Sequence, residues 1–185
     1  MTYYLVFGGL AVLAGGVIFF YNRLVSNRNR VREGWSGVEV QLKRRHDLIP
    51  RLVEVVSGYS HHERIALAEV MEKRREALTT KSAGDASEVE SRLGAGIGKI
   101  VAVAEAYPDL KADEGFSQLT EELVTIENEL QYARRYYNGA VRELNNAIET
   151  FPSNLVAGAF GFQQGEFFEV ESSVERLAPK IEINH

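Results

Sequence analysis

The chain contains no cysteine and only four prolines, four histidines and one tryptophan among 185 residues. Lack of cysteine excludes disulfides, a thiolate nucleophile, a lipoprotein-type modification site and most structural zinc sites, and it suits a reducing compartment. Scarce proline beside frequent Ala, Glu, Leu and Arg points to helices. Charge is missing from one place in particular: no Asp, Glu, Lys or Arg occurs before Arg23. A cleaved signal peptide would need a basic n-region, a shorter apolar core and a small-x-small exit. Here no basic residue precedes the apolar run, and bulky Ile18-Phe19-Phe20-Tyr21 fills its exit. The chain also lacks low-complexity tracts and any legible Ser-His-Asp arrangement.

What occupies the charge-free stretch is apolar and long. At about 1.5 Å per residue, residues 3–21 span close to the ~30 Å hydrocarbon thickness of a bilayer. Tyr3, Tyr4 and Tyr21 lie at its ends, where amphipathic rings favour the interface. The pattern predicts a single transmembrane anchor over residues 1–22, with Tyr4, Leu5, Phe7, Leu10, Leu13, Val17 and Phe20 meeting lipid. Gly8, Ala11 and Gly15 supply small residues for close helix association in the membrane. Arg23, Arg28, Arg30 and Arg32 follow the span directly. By the positive-inside rule the N-terminus lies outside and the rest of the chain in the cytoplasm, with these arginines against an anionic leaflet.

The formal net charge of −5 conceals an asymmetry, because residues 22–80 carry a basic excess and residues 81–185 an acidic one. Basic residues are interleaved with Glu and no aromatic stacking motif accompanies them, so nucleic-acid binding is not expected.

Residues 23–185 read as one helical bundle. Leu24, Val31, Trp35, Val38, Leu42, Ile49, Leu52, Val56 and Tyr59 recur at three- and four-residue steps. This stripe predicts a helix over about 23–78, kinked but continuous at Pro50. Asp85-Ala86-Ser87-Glu88 resembles a capping box and opens a second helix over about 85–106, which ends before Pro108. Gly94 and Gly98 on one face of that helix would admit a neighbouring helix closely. Phe116, Leu119, Leu123, Ile126, Leu130, Ala133, Tyr137, Ala140, Leu144 and Ala147 hold heptad spacing and predict a third helix over about 113–150. Gln131, Asn138 and Asn145 recur on an adjacent stripe, where they could bond to other helices. Phe151-Pro152 ends this helix, and short helical segments are expected over 154–177. Phe160, Phe162, Phe167 and Phe168 in this tail are candidates for contact with another subunit or the membrane, with capping of the bundle core as the competing reading.

Four clusters could carry chemistry. His46-Asp47 beside Arg44-Arg45 could bind an anion or relay a proton; a structural role at Pro50, with pairing to carboxylates such as Glu127, is the favoured reading. His61-His62-Glu63 lacks a second His four residues away, and adjacent helical histidines diverge by about 100°, so metal is not expected. Gly94-Ala95-Gly96-Ile97-Gly98-Lys99 resembles a nucleotide loop, but Leu93 and Ile100 replace the required Gly and Ser/Thr. Arg134-Arg135 with Glu127 and Glu129 reads as interhelical salt bridging. No catalytic, cofactor-binding or metal-binding residues are assigned.

Arg28-Asn29-Arg30-Val31, Trp35-Ser36 and the run Val40-Gln41-Leu42-Lys43-Arg44-Arg45-His46-Asp47-Leu48-Ile49-Pro50 closely resemble the LemA family of bacterial membrane-anchored helical proteins. Ala133-Arg134-Arg135-Tyr136-Tyr137-Asn138, the segment from Phe151-Pro152-Ser153-Asn154 to Phe160-Gly161-Phe162, and Ala178-Pro179-Lys180 match its other signatures. The resemblance implies an N-terminal anchor in the bacterial inner membrane and long antiparallel helices. Some relatives are associated with shaping internal membranes and others with membrane proteases. The expected fold is therefore all-α, a transmembrane helix continuous with an antiparallel bundle of long helices and a short C-terminal helical segment. The expected function is a non-enzymatic scaffold that self-associates and organises the lipid bilayer. The alternative is a tethered adaptor presenting an acidic face to another membrane protein, such as a protease. Partners are the bilayer and further copies of the chain, and no cofactor is expected.

Overall fold

The apolar run does not stop where the charged residues begin. In the computed structural model, which describes residues 1–59, 63–80 and 82–168 (for residue 105 the backbone alone), it continues as one helix, α1 (Thr2–Tyr59). The remaining elements are α2 (Arg64–Thr79), α3 (Ala83–Val103), a 3₁₀ turn (Ala104–Ala106), α4 (Pro108–Lys111), α5 (Glu114–Glu149) and α6 (Ser153–Ala159). No strand occurs among the described residues, and the fold is all-α. The chain forms two compact units, each containing part of α1 and part of α5.

The first unit comprises Met1–Arg45 and Val124–Phe167. Within it α1 and α5 run antiparallel, because rising positions on α1 meet falling positions on α5. Asn27 donates its side-chain amide to the Glu143 carbonyl at 3.4 Å, and Arg30 pairs with Glu143 at 3.0 Å. Further on, the Trp35 and Tyr137 rings lie 5.3 Å apart, Arg44 pairs with Glu129, and Arg45 pairs with Glu127 at 3.5 Å. Gly34 makes this approach possible: a Cβ there would sit 3.0 Å from the Tyr137 Cα, which cannot yield without moving α5. Val38, Leu42, Leu130, Val141 and Leu144 are buried. The heptad positions of α5 therefore face inward, as their spacing predicts.

At the other end of this unit, Leu24, Ala147, Val156 and Ala157 form a core against which Phe20, Ile148 and Phe162 pack. Helix α6 closes with a left-handed residue, Gly161 at φ +69°. Phe162 N–H donates to the Ala157 carbonyl at 3.0 Å and Gly161 N–H to the Gly158 carbonyl at 3.4 Å. This pair of bonds satisfies carbonyls that a helix end otherwise leaves free.

The tail then departs from expectation. Residues 162–168 are not helical but extended along α5. Asn145 clasps the tail backbone twice, accepting from Gly165 N–H at 2.8 Å and donating to the Gly165 carbonyl at 3.1 Å. Tyr137 hydroxyl donates to the Glu166 carbonyl at 2.7 Å. The side chain of Asn145 thus supplies the pairing that a helix would supply internally. Its partner is this strap and not another helix. The part of the expected 154–177 helical segments beyond residue 168 lies outside the described residues.

The second unit comprises His46–Leu123 with Phe168. A single helix over 23–78 is not what forms: α1 ends at Tyr59, and α2 folds back beside it. Arg74 Nε lies 2.6 Å from the His46 carbonyl. In one straight helix those residues would stand about 42 Å apart. Folding back buries Leu67, Val70 and Ala77, which a continuing helix would carry away from the core. Gly58, costly inside a helix, weakens the continuation.

Helix α3 begins earlier than expected, because Ser82 is its cap and accepts from Asp85 N–H at 3.1 Å. The close helix approach falls on Gly96, where a Cβ would sit 2.9 Å from Val70 Cγ2. Gly98 is exposed with open space around it, so within the chain it does not make the close approach expected of it. The α3 core stripe of Leu93, Ile97 and Ile100 is buried as predicted. Asp113 caps α5 by accepting from Phe116 N–H at 2.8 Å, and it also accepts from the Tyr59 hydroxyl at 2.9 Å.

Candidate membrane-contact site

Residues 2–19 at the start of α1 include no buried residue. Tyr4, Leu5, Phe7, Leu10, Leu13 and Val17 are exposed, and the space around Gly8, Gly9, Gly15 and Gly16 is open. The helix is long and apolar enough here to cross a membrane, with no part of that window covered. Exposed apolar area of this size is unfavourable in water at about 25 cal/mol per Å². Protein cover begins only at Phe20 and Leu24.

That boundary is where α6 lies. Tyr21 has the Phe160 ring at 4.9 Å and the Phe162 ring at 5.9 Å. Arg28 stands 5.2 Å over the Phe162 ring, a cation–π contact that holds the guanidinium at the edge of the aromatic group. Around it Phe151, Leu155 and Phe160 are 74%, 65% and 55% exposed. Large apolar side chains are thus left outside the core at the level where α1 emerges from its apolar segment. Aromatic and aliphatic side chains beside arginines suit the headgroup boundary of a bilayer.

The expected residues divide accordingly. Phe160 and Phe167 are exposed, whereas Phe162 is half-buried, packed against the Leu24 core beneath Arg28. Phe168 is 1% exposed and belongs to the core, so it cannot serve as a membrane or subunit contact. Burial of a whole phenyl ring is worth about 2–3 kcal/mol, which explains why the strap delivers it inward. Arg23, Arg28 and Arg32 are exposed, and Arg30 is exposed but engaged with Glu143. Phe151 reads from sequence as a helix stop and part of a family signature, and neither it nor Leu155 is marked there as a contact residue.

The polar cluster at His46 has a different character. His46 Nε2 lies 2.6 Å from Glu90 Oε1, and both residues are buried. Pro50 has no N–H to offer the His46 carbonyl four residues earlier. Arg74 supplies the missing donor from α2. Buried polar groups are tolerated when hydrogen-bonded, and this arrangement meets that requirement by joining α1, α2 and α3. Arg45 does pair with Glu127, as expected, whereas Glu90 was a partner the sequence did not reveal.

Arg134 and Arg135 do not bridge helices in the way expected. Arg134 donates to Gln131 at 2.6 Å and Arg135 lies 4.6 Å over the Tyr132 ring, while Arg44 and Arg45 take Glu129 and Glu127. Neighbours one turn away on α5 hold these arginines locally. His61 and His62 lie outside the described residues.

Comparison with known proteins agrees with this architecture. A family model described as the LemA family matches residues 34–183. Protein LemA of Metamycoplasma hominis is 27% identical over 173 residues, covering 90% of this chain and 78% of its own. Magnetosome protein MamQ 2 of Paramagnetospirillum magneticum is 25% identical over 175 residues, and magnetosome protein MamQ of Magnetospirillum gryphiswaldense is 23% identical over 174. Each of these two matches covers 80% of this chain but only 64% of the magnetosome protein.

Proposed function

The chain belongs to the LemA family, and from that premise we propose that it is a non-enzymatic membrane-anchored scaffold that self-associates and organises the bilayer. One observation carries the reading: an uncovered apolar helix ends level with an exposed aromatic and arginine-bearing surface. A single anchor tethers a protein; an anchor with a second apolar contact at the same depth also fixes how the protein stands on the surface. Proteins held in one orientation can align neighbours and impose a shape on the leaflet. The small-residue positions Gly8 and Gly15, where a Cβ would meet nothing, and exposed Ala11 between them support association of spans from several copies. The magnetosome proteins among its relatives fit a membrane-associated role. In this reading the protein sits in a bacterial inner membrane with its helical units in the cytoplasm, an orientation that the arginines after the span support.

The test is the mass and appearance of the full-length protein extracted in mild detergent, by light scattering and negative-stain imaging. Large uniform assemblies are expected, and Gly15→Leu should reduce them. A monomer or dimer, unchanged by Gly15→Leu, overturns self-association and favours the adaptor reading with another membrane protein as partner.

A further inference from the structure

Just past the apolar span, the first unit contains a cavity of about 490 Å³ between α1, the end of α5 and the start of α6. Its lining is mixed: Phe20 and Phe151 are aromatic, Arg23 and Arg30 bring positive charge, and Asn27 and Thr150 add polar atoms. By helical rise, this wall runs from the level of Tyr21 to about 13 Å beyond it. The polar layer of a bilayer outside its hydrocarbon core is about 5–8 Å deep per leaflet, so the Phe20 and Arg23 end of the wall falls at headgroup depth and the Arg30 end reaches beyond it. Phe20 is the lining residue nearest the apolar span.

The charge balance points to an anion. Glu143 also lines the cavity, but it is already paired with Arg30 at 3.0 Å. Arg23 has no ion-pair partner among the described residues, which leaves one uncompensated positive charge. Arg30 has five N–H donors and spends one on Glu143. Two guanidiniums converging on one volume suit a phosphodiester, whose oxygens accept in the fork geometry that Arg offers. A cavity of this size falls in the range of about 300–1,000 Å³ typical of small-ligand sites, enough for a headgroup and its first chain carbons.

We propose that this cavity binds the headgroup of an anionic glycerophospholipid, with its phosphodiester on Arg23 and Arg30 and its first acyl carbons against Phe20 and Phe151. The inference rests on the reading of α1 as a membrane span. It goes further by naming the lipid class and assigning it a defined site, distinct from the diffuse attraction of four arginines to an anionic leaflet. A headgroup held here would stand beside α6 and lock the aromatic surface at its working depth.

Full-length protein would be reconstituted into phosphatidylcholine vesicles with and without about one-fifth phosphatidylglycerol. Flotation reports membrane insertion, and electron spin resonance of spin-labelled phosphatidylglycerol reports immobilised lipid per protein. The expected result is a floating protein that retains phosphatidylglycerol over phosphatidylcholine. Arg23→Gln should lower that preference about tenfold, whereas Arg32→Gln, off the cavity, should change it less than twofold. Failure to float overturns the membrane reading and this inference with it. Flotation without lipid preference, or equal losses in the two variants, overturns the cavity alone. Displacement of the lipid by millimolar inorganic phosphate would overturn the lipid as ligand and leave a site for free phosphate.

Discussion

Replacing Arg74 by Met keeps the aliphatic stem and removes the donor that reaches the His46 carbonyl at 2.6 Å. That carbonyl cannot recover a helical partner, because residue 50 is proline and has no N–H. An unsatisfied buried acceptor costs about 1–3 kcal/mol, and a lost charge-assisted bond falls in the same range, so the expected loss is about 2 kcal/mol. For a chain of this size that lowers Tm by roughly 4–8 °C. The decisive assay is a double-mutant cycle by circular dichroism melting of the full-length protein in detergent. In a Pro50→Ala background the restored amide can donate to the same carbonyl, so Arg74→Met should then cost less than about 1 kcal/mol. A coupling of at least about 1 kcal/mol is expected. If Arg74→Met costs the same with proline or alanine at position 50, Arg74 is not serving the carbonyl that the proline strands, and the account of the α1–α2 junction is refuted.

The second unit carries three further expected outcomes. Gly96→Ala should destabilise by about 1–2 kcal/mol, since the new Cβ would stand 2.9 Å from the stiff, branched Val70. Gly98→Ala, in open space two residues on, should stabilise by roughly 1 kcal/mol. Equal effects in chemical denaturation would show that α2 does not press on α3 at Gly96. Acid stability should depend on Asp113, whose carboxyl is held below its ordinary 3.8, first by the Phe116 N–H and then by the Tyr59 hydroxyl. A lowered folded-state value contributes stability above the unfolded value, and this is lost as pH falls through the folded one. Asp113→Asn should therefore flatten stability against pH below 3.8, and an unchanged acid limb would remove the cap from the account. The same bond raises the Tyr59 hydroxyl above 10.0, so its contribution is present below that pH and fades as pH rises through the raised value. Absorbance titration, with Tyr59→Phe as reference, should show one tyrosine ionising late.

Much of the architecture was legible because the periodicities are long. The charge-free run of α1 and the heptads of α5 each extend over many turns, and burial of Phe116, Leu119, Leu123, Ile126 and Leu130 follows their spacing directly. The reversal after Tyr59 was not legible. The apolar pattern keeps its phase into α2, and a helical period is blind to whether the next turn continues or folds back. The glycines illustrate the same limit: Gly96 and Gly98 are equivalent in propensity, and only the position of Val70 sets Gly96 apart. Within the contact site, the arginines after the span and Phe160 with Phe162 could be read in advance. Phe168 could not be told from them, since an aromatic residue in a tail carries no mark of the surface it meets.

By itself the sequence determined the apolar helix, the helical class, the ends of α5 at Asp113 and Phe151-Pro152, and the family. Each of these depends on local chemistry: hydrophobicity over a bilayer's length, a repeating apolar stripe, a missing amide or a capping carboxylate. Tertiary structure alone decided the rest. It gave the stranded His46 carbonyl its donor on α2 and the His46 ring its partner on α3, and it laid the tail along Asn145 so that Phe168 went inward. It also brought Arg23 and Arg30 to one cavity with residues 113 to 128 positions away, Glu143 and Phe151 among them. Such pairings depend on which helices pack together, and burial energy summed over the whole chain selects that arrangement.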